Sequence, residues 1–511
     1  MTSWGLHRFL LAAAMLSLLP LNANAALISG TIVKVAQSGK ITVETTSNKQ
    51  QEFQVPSSAR ITIDGKPGGF GRLEVGQRVS LITSSSGSIT QIKARTGTPT
   101  TPSPKPVPSS PATGTPPASE TISGSGWTQF GGPNRDNISP ETGLITEWPA
   151  GGPALNWTAT GLGEGYSSVS ISDDGKLYTM GNRGNQEMTI CLDLATGKEL
   201  WATQTGNAYR ESQGNGPRST PTIDGDRLYV LGGNGDLACL SRNDGEMLWS
   251  GNILRQYGAD NIVWGISESV LIDGNKAVFT PGGRNATMVA VDKMSGRELW
   301  KSNVPGNPKA AYSSIIAADI GGARQYVNFV HTAVVGVDAA TGKALWGIQS
   351  PANGTANCSS PLASGNFVFA ASGYGTGGTL VEVSGTRGNV SAKEVYHINE
   401  MKNHHGGMVL IDGYIYGTDE QILRCIELKT GETKWQSRSV GKGAVVFADG
   451  HIILRSENGP VAMFAANPAK YEEQGRFEPP RSDRPAWPHP VVANSCLFLR
   501  DQDQLFCYAL K

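Results

Sequence analysis

The sequence lacks the residue patterns that mark several large classes of protein. It has six cysteines, of which no two are adjacent and none belongs to a Cys-x-x-Cys-His haem-attachment motif. It also has no Gly-x-Ser-x-Gly nucleophile elbow and no His-Glu-x-x-His zinc-protease motif. Neither sign of charge prevails, because 43 lysines and arginines balance 43 aspartates and glutamates. These absences argue against a c-type cytochrome, a serine hydrolase, a zinc protease and a protein that binds nucleic acid through its overall charge.

Long apolar runs are also scarce, and the one that matters lies at the amino terminus. It covers residues 9–21, follows a weakly basic start with Arg8, and precedes the small residues at 23–25. This is the pattern of a secretory signal peptide, and the run is too short for a spanning helix. An uncleaved membrane anchor is the alternative. A lipid anchor is not expected, because there is no cysteine near the predicted cleavage point. We therefore predict a signal peptide over residues 1–25, a periplasmic or secreted protein, and no transmembrane anchor.

Two further segments precede the main body of the chain. Residues 26–95 alternate apolar and polar side chains between glycine-marked turns, which predicts five or six short strands in a small OB-like or SH3-like β-barrel. Nothing in this region has a catalytic pattern, so we interpret it as an accessory domain. Residues 96–122 contain eight prolines among Ser, Thr and Gly, which is typical of an extended, unpacked linker.

The remainder, residues 123–511, is built on a repeat. Cys191–Trp201 has the sequence CLDLATGKELW, which predicts a strand, a tight turn ending in glycine, and a second strand. A hairpin turn of this kind needs positive φ at the glycine, a conformation that glycine adopts without steric cost. The glycine precedes the tryptophan by four positions in every copy: Gly197 and Trp201, Gly245 and Trp249, Gly296 and Trp300, Gly342 and Trp346, Gly431 and Trp435.

Degenerate copies of the motif complete the series of repeats, and a second sequence pattern supports the same number of repeats. The eight aromatics are Trp157, Trp201, Trp249, Trp300, Trp346, Tyr396, Trp435 and Phe477. After each of them a run of small residues leads into an apolar strand, so each unit has four strands in about 40 to 50 residues, the period of a β-propeller blade. The last unit ends without an aromatic strand, and the strand around Trp157 has no unit of its own. We therefore predict an all-β, eight-bladed β-propeller whose last blade is completed by the strand that contains Trp157.

The cysteines fall into two groups. Cys191, Cys239 and Cys425 occupy the same repeat position on a strand, where buried small hydrophobes are expected. Cys496 and Cys507 would lie opposite each other if the last hairpin turned at residues 501–502, and an oxidising compartment would then permit a disulfide.

The repeat resembles that of pyrroloquinoline-quinone (PQQ) β-propellers. The motif at 192–201 and its copy at 337–346 carry the resemblance, and the stretch Trp127–Asp136 looks like the leader of secreted bacterial PQQ-like repeat proteins. The resemblance implies an eight-bladed ring. The family includes quinoprotein alcohol dehydrogenases and a lipoprotein of outer-membrane barrel assembly, so fold alone does not give the function. The chain departs from the enzymes in having no adjacent cysteine pair and a shorter propeller.

A functional site is expected where the innermost strands begin, at one mouth of the axial channel. The residues that lead into those strands are unusually polar and aromatic: Glu164, Tyr166, Arg218, Trp264, Glu268, Tyr312, Asn357, His404, His405, Lys442, Trp487 and His489.

The side-chain types in this set would suit a planar anionic ligand. Arg218 and Lys442 would bind carboxylates, and Trp264 offers a stacking face. Asn357 and Glu268 could supply polar or metal contacts. PQQ with Ca²⁺ fits this description, and so does an acidic peptide or a sugar. The alternative is that these side chains only bond the turns and fill the channel.

The histidines do not predict a metal site. His404 and His405 are neighbours on what we take to be an extended segment, where adjacent side chains point in opposite directions. We assign no metal ligand and no catalytic residue. The sequence therefore predicts a binding or scaffolding platform for a protein or small anionic ligand, with a PQQ-dependent oxidoreductase of alcohols or sugars as the alternative.

Overall fold

The computed structural model describes residues 27–36, 39–45, 50–56, 58–63, 66–83, 88–95, 126–386 and 389–511. The chain divides into two units, Met1–Ala118 and Ser119–Lys511. The predicted signal peptide and the proline-rich linker lie outside the described residues. Within the described ranges, no helix has the length and apolar character needed to cross a membrane.

The first unit is a single sheet of seven strands, with strand order β3-β2-β1-β6-β7-β4-β5. The strands are β1 (Leu27–Ala36), β2 (Lys40–Thr45), β3 (Gln50–Gln54), β4 (Arg60–Ile63), β5 (Lys66–Gly68), β6 (Arg78–Thr83) and β7 (Ile89–Arg95). One 3-10 turn (Phe70–Arg72) precedes β6. The apolar core of this first unit includes Ile32, Ile41 and Leu81, all fully buried. The sequence predicted five or six strands, because the proline and glycine of β5 are residue types that indicate a turn.

The second unit is all-β apart from the short helix α1 (Ile253–Tyr257), and its described residues form eight four-stranded antiparallel sheets. We number the sheets 1 to 8 in chain order. Sheets 1 and 2 consist of β9 (Ser170–Ile171), β10 (Lys176–Arg183), β11 (Gln186–Asp193) and β12 (Glu199–Asn207), then β13 (Thr222–Asp224), β14 (Arg227–Leu231), β15 (Asp236–Ser241) and β16 (Met247–Asn252). Sheets 3 and 4 consist of β17 (Leu271–Asp273), β18 (Lys276–Phe279), β19 (Met288–Asp292) and β20 (Glu298–Ser302), then β21 (Ile316–Ile320), β22 (Ala323–Phe329), β23 (Val334–Asp338) and β24 (Ala344–Ile348).

The second half of this unit follows the same plan. Sheets 5 and 6 consist of β25 (Leu362–Ser364), β26 (Phe367–Ser372), β27 (Gly377–Thr386) and β28 (Asn389–Ile398), then β29 (Met408–Ile411), β30 (Tyr414–Asp419), β31 (Ile422–Glu427) and β32 (Thr433–Ser437). Sheets 7 and 8 consist of β33 (Gly443–Ala448), β34 (His451–Ser456), β35 (Val461–Ala465) and β36 (Glu473–Phe477), then β37 (Val491–Ala493), β38 (Cys496–Asp501), β39 (Gln504–Ala509) and β8 (Leu155–Ala159).

The eighth sheet joins residues from both ends of this unit, as the sequence predicted. Strand β8 pairs antiparallel with β39, and Trp157 lies opposite Cys507. No edge of β39 is therefore left open for pairing with another chain.

Apolar side chains fill the space between every pair of neighbouring sheets. Separate buried clusters join sheet 1 to 2, 2 to 3, 3 to 4, 4 to 5, 5 to 6 and 6 to 7. A larger cluster joins sheets 7, 8 and 1 and so closes the ring. Cys191, Cys239 and Cys425 are fully buried in these clusters, which confirms the prediction for them. Because each sheet buries its two faces only against its neighbours, the ring is stable as a whole rather than sheet by sheet.

The repeated glycine and aromatic meet across these junctions. Gly197 has φ of +69°, and a Cβ placed on it would lie 2.6 Å from Cε3 of Trp157 in sheet 8. The Trp157 indole nitrogen donates to the Leu194 carbonyl oxygen at 3.2 Å. Glycine is thus required at this position for two reasons. The turn needs a residue with positive φ, and the aromatic ring of the preceding sheet packs directly on the glycine, where a side chain would clash with it. The same contact is made by Gly245 with Trp201, Gly296 with Trp249, Gly342 with Trp300 and Gly431 with Tyr396.

The first strand of each sheet lies at the centre of the ring, where neighbouring first strands such as β9 and β13, or β29 and β33, contact each other. Small residues before these strands form hydrogen bonds from sheet to sheet. The Thr220 amide donates to Ser269 Oγ at 2.8 Å, the Ser269 amide to Ser314 Oγ at 3.0 Å, and the Ser314 amide to Ser360 Oγ at 3.1 Å. This placement agrees with the prediction that small residues occupy the crowded axis.

A segment that we call the axial leader, residues 126–139, fills the centre of the ring. It forms hydrogen bonds to residues of sheets 1, 2, 3, 4, 6, 7 and 8. Its buried Arg135 donates to the carbonyl oxygens of Ser269 at 3.1 Å and Ile315 at 2.8 Å, and to that of Val270. The channel is therefore occupied by the chain itself below the mouth.

The predicted register of the last hairpin was wrong, whereas the disulfide between Cys496 and Cys507 stays a prediction. The turn falls on residues 502–503, with Gln502 at positive φ, so Phe498 lies opposite Cys507 and Cys496 lies opposite Ala509. Cys496 and Cys507 are both free thiols, and they lie diagonally across the two strands instead of directly opposite each other. The sequence placed the turn one residue too early. In an antiparallel hairpin this error shifts the cross-strand partner of every residue by two positions.

Candidate functional site

Eight of the twelve residues predicted for the mouth line one cavity of about 220 Å³. They are Tyr166, Arg218, Trp264, Tyr312, His404, His405, Trp487 and His489. Each lies on a segment that leads into the first strand of a sheet, so the repeat itself brings these side chains to the mouth of the ring. Their role in ligand binding stays a prediction.

The walls of the cavity are largely aromatic. The rings of Tyr166 and Trp487 lie 4.6 Å apart between centroids, at 36°, and those of Trp264 and Tyr312 lie 5.5 Å apart, at 38°. His405 extends the first pair, with its ring 5.5 Å from that of Trp487. Such a surface offers several faces on which a ring can stack.

The positive charge of Arg218 is already matched within the chain. Its Nη2 lies 2.8 Å from Oε1 of Glu211 and also donates to the Gly214 carbonyl oxygen at 2.8 Å. Its Nη1 donates to the Gly216 carbonyl oxygen at 2.8 Å. A ligand carboxylate would therefore have to compete with Glu211 for this guanidinium.

Lys442 lies behind the wall instead of lining the cavity. Its Nζ is 2.9 Å from Oε1 of Glu457 and 3.1 Å from Nδ1 of His404. The other carboxylate oxygen of Glu457 is 3.7 Å from Nε2 of His405. The prediction that Lys442 faces a ligand is thus corrected, because this amine is held by a carboxylate and an imidazole of the wall.

The prediction that His404 and His405 point in opposite directions was wrong. Their rings stack, with centroids 4.5 Å apart and planes at 28°. The alternation of side chains belongs to extended strands, and the chain bends here before β29 begins at Met408. Gly406, with φ of +79°, allows the bend.

The histidines of the cavity are uncharged at neutral pH. Burial, with the charge of Lys442, lowers the pKa of His404 to about 4. Burial also lowers the pKa of His405 and that of His489. With Arg218 and Lys442 paired to carboxylates, the cavity has little net charge to offer an ion.

Asn357 does not reach the cavity, so its predicted ligand contact is also corrected. The residue is fully buried, and its Nδ2 donates to the His331 carbonyl oxygen at 2.9 Å. Its Oδ1 accepts from the Asn353 amide at 3.0 Å and from Ser372 Oγ at 2.8 Å. Both ends of the amide therefore hold loops of sheets 4 and 5 together.

Glu268 is turned inward as well, and its environment favours the neutral acid. It is 2% exposed and accepts hydrogen bonds from the Thr280 amide at 2.7 Å and the Thr280 hydroxyl at 3.2 Å. Burial raises the pKa of Glu268 to about 8, although the charge of Arg135 acts in the opposite direction. The predicted polar or metal contact of this carboxyl with a ligand is not what the structure shows.

This raised pKa predicts how stability depends on pH. A carboxyl that is easier to protonate when folded stabilises the protein fully below its unfolded pKa, near 4.5, and this stabilisation is lost as pH rises to about 8. Glu268→Gln keeps a neutral side chain of the same shape. We expect the variant to lose less thermal stability than the wild type between pH 5 and 8, measured as melting temperature by scanning fluorimetry. Parallel pH profiles for the two proteins would contradict the assignment.

Several residues of the cavity were missed by sequence reasoning. Phe130, from the axial leader, places its ring 5.0 Å from that of His489. Tyr374, from the glycine-rich loop after β26, meets His404 edge-on at 4.6 Å. Cys358 also lines the cavity, and burial raises the pKa of its thiol to about 12, so it is not a reactive thiolate. The leader motif could have indicated Phe130, whereas nothing in the repeat indicates the direction of a loop.

A second cavity of about 600 Å³ lies among loops of sheet 3 and is lined by glycines, amides and charged side chains. Lys309 and Asp260 are 4.0 Å apart at its rim, and both are exposed. It contains none of the predicted residues and no aromatic ring. We therefore place the candidate site at the mouth of the ring.

The residues of the mouth do not fit PQQ with Ca²⁺. No aspartate or glutamate lines the cavity, whereas Ca²⁺ takes oxygen ligands that commonly include carboxylates. Among the residues that the structure describes, no group of three or more His, Cys, Asp and Glu side chains could hold a metal ion. Arg218 and Lys442 are already paired with Glu211 and Glu457, so neither of these two cations is free for a quinone carboxylate.

Comparisons with known proteins agree on the fold. Similar solved structures include quinohemoprotein alcohol dehydrogenase from Comamonas testosteroni, with 12% identity and a TM-score of 0.53, covering 75% of this chain and 80% of that chain. Another is quinohemoprotein alcohol dehydrogenase ADHIIG from Pseudomonas putida HK5, with 14% identity and a TM-score of 0.53, covering 76% of this chain and 80% of that chain. Identities this low show a shared fold and no more. No curated protein sequence matches the chain.

A family model described as outer membrane protein assembly factor BamB matches residues 157–437, more than half of the chain. The match begins at the ring-closing Trp157 and spans sheets 1 to 6. The chain therefore belongs to this family of PQQ-like β-propellers.

Proposed function

We propose that this protein is a binding platform that works outside the cytoplasm, in which eight blades hold a ligand or a partner's side chain at the mouth of the ring. The blades correspond to the eight four-stranded sheets, numbered as above. The observation that carries the proposal is the cavity of about 220 Å³, toward which segments of seven of the eight sheets converge, six of them with aromatic or histidine side chains. Pockets with apolar walls and a few polar groups are the usual sites of ligand binding.

The other parts of the chain fit this role. The predicted signal peptide at 1–25 and a family described by an outer membrane assembly factor support a periplasmic or secreted location. The first unit is an OB-like or SH3-like accessory module, joined to the propeller by the proline-rich linker at 96–122. Such an arrangement lets a second module be held near whatever the mouth binds.

The proposal is tested by ligand binding to the full mature chain. Three probes are titrated by isothermal titration calorimetry: a neutral sugar such as glucose, the amide N-acetyltryptophanamide as an aromatic peptide group, and PQQ with Ca²⁺. We expect at least one of the first two to bind, and Trp264→Ala to weaken that binding at least tenfold, because the stacking face is removed. Val263→Ala, at an exposed neighbour outside the cavity, is the matched control and should bind like the wild type.

Two outcomes would contradict the platform proposal. One is that no probe binds, or that Trp264→Ala leaves every affinity unchanged. The other is that PQQ with Ca²⁺ yields a bound chromophore and dye-linked oxidation of an alcohol or sugar, which would make the protein a quinoprotein oxidoreductase.

A further inference from the structure

The second cavity, among loops of sheet 3, lies on the same side of the ring as the mouth. It is lined by residues 258–260, 282–285, 306, 307 and 309, and its volume is about 600 Å³. Strands β17 and β18 are antiparallel, so the loop that follows β18 lies at the end of the sheet where β17 begins. The segment that carries Trp264 to the mouth leads into β17 at that same end. The two cavities therefore share one end of sheet 3.

Two short segments connect the cavities. Asp260 lines the second cavity, and Trp264, four positions later, lines the mouth cavity. Lys309 and Tyr312, three positions apart, are divided between the cavities in the same way. The Trp264 amide donates to the Tyr312 hydroxyl oxygen at 3.4 Å, so the two segments meet where they reach the mouth. Because three or four residues span at most about 14 Å, one extended ligand is long enough to occupy both cavities.

The second cavity has an unmatched positive charge. The Arg284 side chain is exposed and makes no ion pair or hydrogen bond with any residue that the structure describes. Lys309 Nζ is 4.0 Å from Oδ2 of Asp260, and both side chains are more than half exposed. Two cations thus share one carboxylate. The charge that remains matches one further carboxylate, which arginine binds through two parallel N–H groups.

Glycines fix the loop that carries this arginine. The Gly283 amide donates to the Pro308 carbonyl oxygen at 2.9 Å. Gly282 has φ of +75°, and a Cβ placed on it would clash with the backbone of Ala310. The loop therefore packs against the neighbouring segment in a way that glycine permits, and the backbone holds the arginine and the lysine of the cavity close together.

Two amide side chains of this cavity suit a polypeptide. Asn285 and Asn307 are exposed, and their side-chain amides form no hydrogen bond within the described part of the chain. A side-chain amide donates and accepts, as does each residue of an extended backbone. A phosphate monoester carries about 1.5 to 2 negative charges, which exceeds the single unmatched charge of the cavity.

The mouth cavity suits an uncharged ring. Its walls are aromatic, and its histidines are neutral at neutral pH. About 220 Å³ is below the range of roughly 300 to 1,000 Å³ that is typical of pockets for drug-sized molecules. An aromatic side chain would fit this space and stack on the walls.

We infer that this side of the ring binds an extended segment of a partner polypeptide, with an aromatic side chain in the mouth cavity and an acidic side chain, two to four residues away, bound by Arg284 and Lys309. The spacing follows from the lengths of the two connecting segments, since an extended chain advances about 3.3 Å per residue. This inference rests on the proposed binding function and names the partner's chemistry for it.

Short peptides that differ only in the acidic group test the inference. Acetyl-Trp-(Gly)n-Glu-amide, with one, two or three glycines, and the reversed sequences are titrated into the full mature chain by isothermal titration calorimetry, each beside its Gln counterpart. We expect at least one Glu peptide to bind at least threefold more tightly than its Gln counterpart, a modest gain because the ion pair is exposed to solvent. The difference should shrink in about 1 M NaCl, which screens exposed charges.

Arg284→Gln keeps a polar side chain but removes the charge. It should make the Glu and Gln peptides bind equally and leave the affinity for N-acetyltryptophanamide unchanged, since that probe occupies the mouth cavity alone. Arg297→Gln is the matched control, because it removes an exposed arginine at the opposite end of sheet 3, between β19 and β20. This variant should preserve the difference between the peptides.

The outcomes separate this inference from the platform proposal. If no Glu peptide binds more tightly than its Gln counterpart, or if the difference survives in Arg284→Gln, the inference is wrong. Tighter binding of adenosine 5′-monophosphate than of every peptide would replace the polypeptide by a nucleotide and so overturn it as well. Should N-acetyltryptophanamide then still bind and be lost in Trp264→Ala, the platform proposal stands without the acidic peptide.

Discussion

Replacing Asp501 by alanine is expected to lower the free energy of unfolding by about 3 to 5 kcal/mol, because it leaves a buried arginine without its partner. Asp501 is 3% exposed and Arg455 is 1% exposed, with Nη2 3.4 Å from Oδ2. The other carboxylate oxygen accepts from the Ser482 amide at 3.1 Å and from its hydroxyl at 2.5 Å. Asp501 therefore also anchors the loop that carries Trp487 to the cavity.

Urea unfolding of the full mature chain, which lacks Trp4, measures this effect when it is followed by tryptophan fluorescence. Every tryptophan after Trp4 lies between residues 127 and 487, so the signal reports on the propeller alone. Asp483→Ala, at an exposed position of the same loop, should change stability by no more than about 0.5 kcal/mol. Adding Arg455→Met to Asp501→Ala should restore part of the loss, since the unpaired charge is gone. Equal midpoints for Asp501→Ala and the wild type would rule out the buried pair as a source of stability.

Gly197→Ala is expected to destabilise the protein by about 3 kcal/mol, from two causes that act together. A non-glycine residue at φ of +69° costs roughly 1 to 2 kcal/mol. The new methyl group would also lie 2.6 Å from the Trp157 ring, and overpacking of this kind costs about 1 to 3 kcal/mol. The junction that weakens is the one between sheets 8 and 1, where the ring closes.

Gly175→Ala separates the two causes. Gly175 lies in the same sheet with φ of +80°, but nothing stands within 4 Å of a Cβ placed on it. This variant should lose only the roughly 1 to 2 kcal/mol of the backbone term. If the two variants unfold at the same urea concentration, the packing of Trp157 on Gly197 contributes nothing, and the role given to the glycine and aromatic pairs is wrong.

The sequence predicted the ring well because its signals are periodic. Glycine at positive φ, an aromatic four residues later and small residues before each first strand recur often enough to reveal four-stranded units, and the unmatched strand at Trp157 shows how the last one is completed. These are constraints of local geometry that act alike in every copy.

The predictions of hairpin register and of side-chain direction failed where the backbone conformation of a single residue decides the local structure. The turn at residues 502–503 depends on Gln502 at φ of +46°, which no residue type at that point announces. The bend at Gly406 turned His404 and His405 to the same side, against the alternation expected of a strand.

Most of the residues predicted for the mouth do meet around one cavity, while the contacts of their side chains were only partly foreseen. Asn357 and Glu268 have the polarity of ligand-binding residues, yet both use it to satisfy the chain's own buried groups. Composition cannot distinguish a polar group that serves the fold from one that is free for a ligand, because the difference lies in the partners that packing supplies.

The axial leader affects how a ligand can enter and leave the cavity. Since residues 126–139 bond to residues of seven of the eight sheets and Phe130 lines the cavity, the ring is a cup with one opening instead of a tunnel. Whatever enters must leave by the same way, so a bulky partner lying over the rim would trap a small molecule already inside, and the off-rate of the small molecule would become that of the partner.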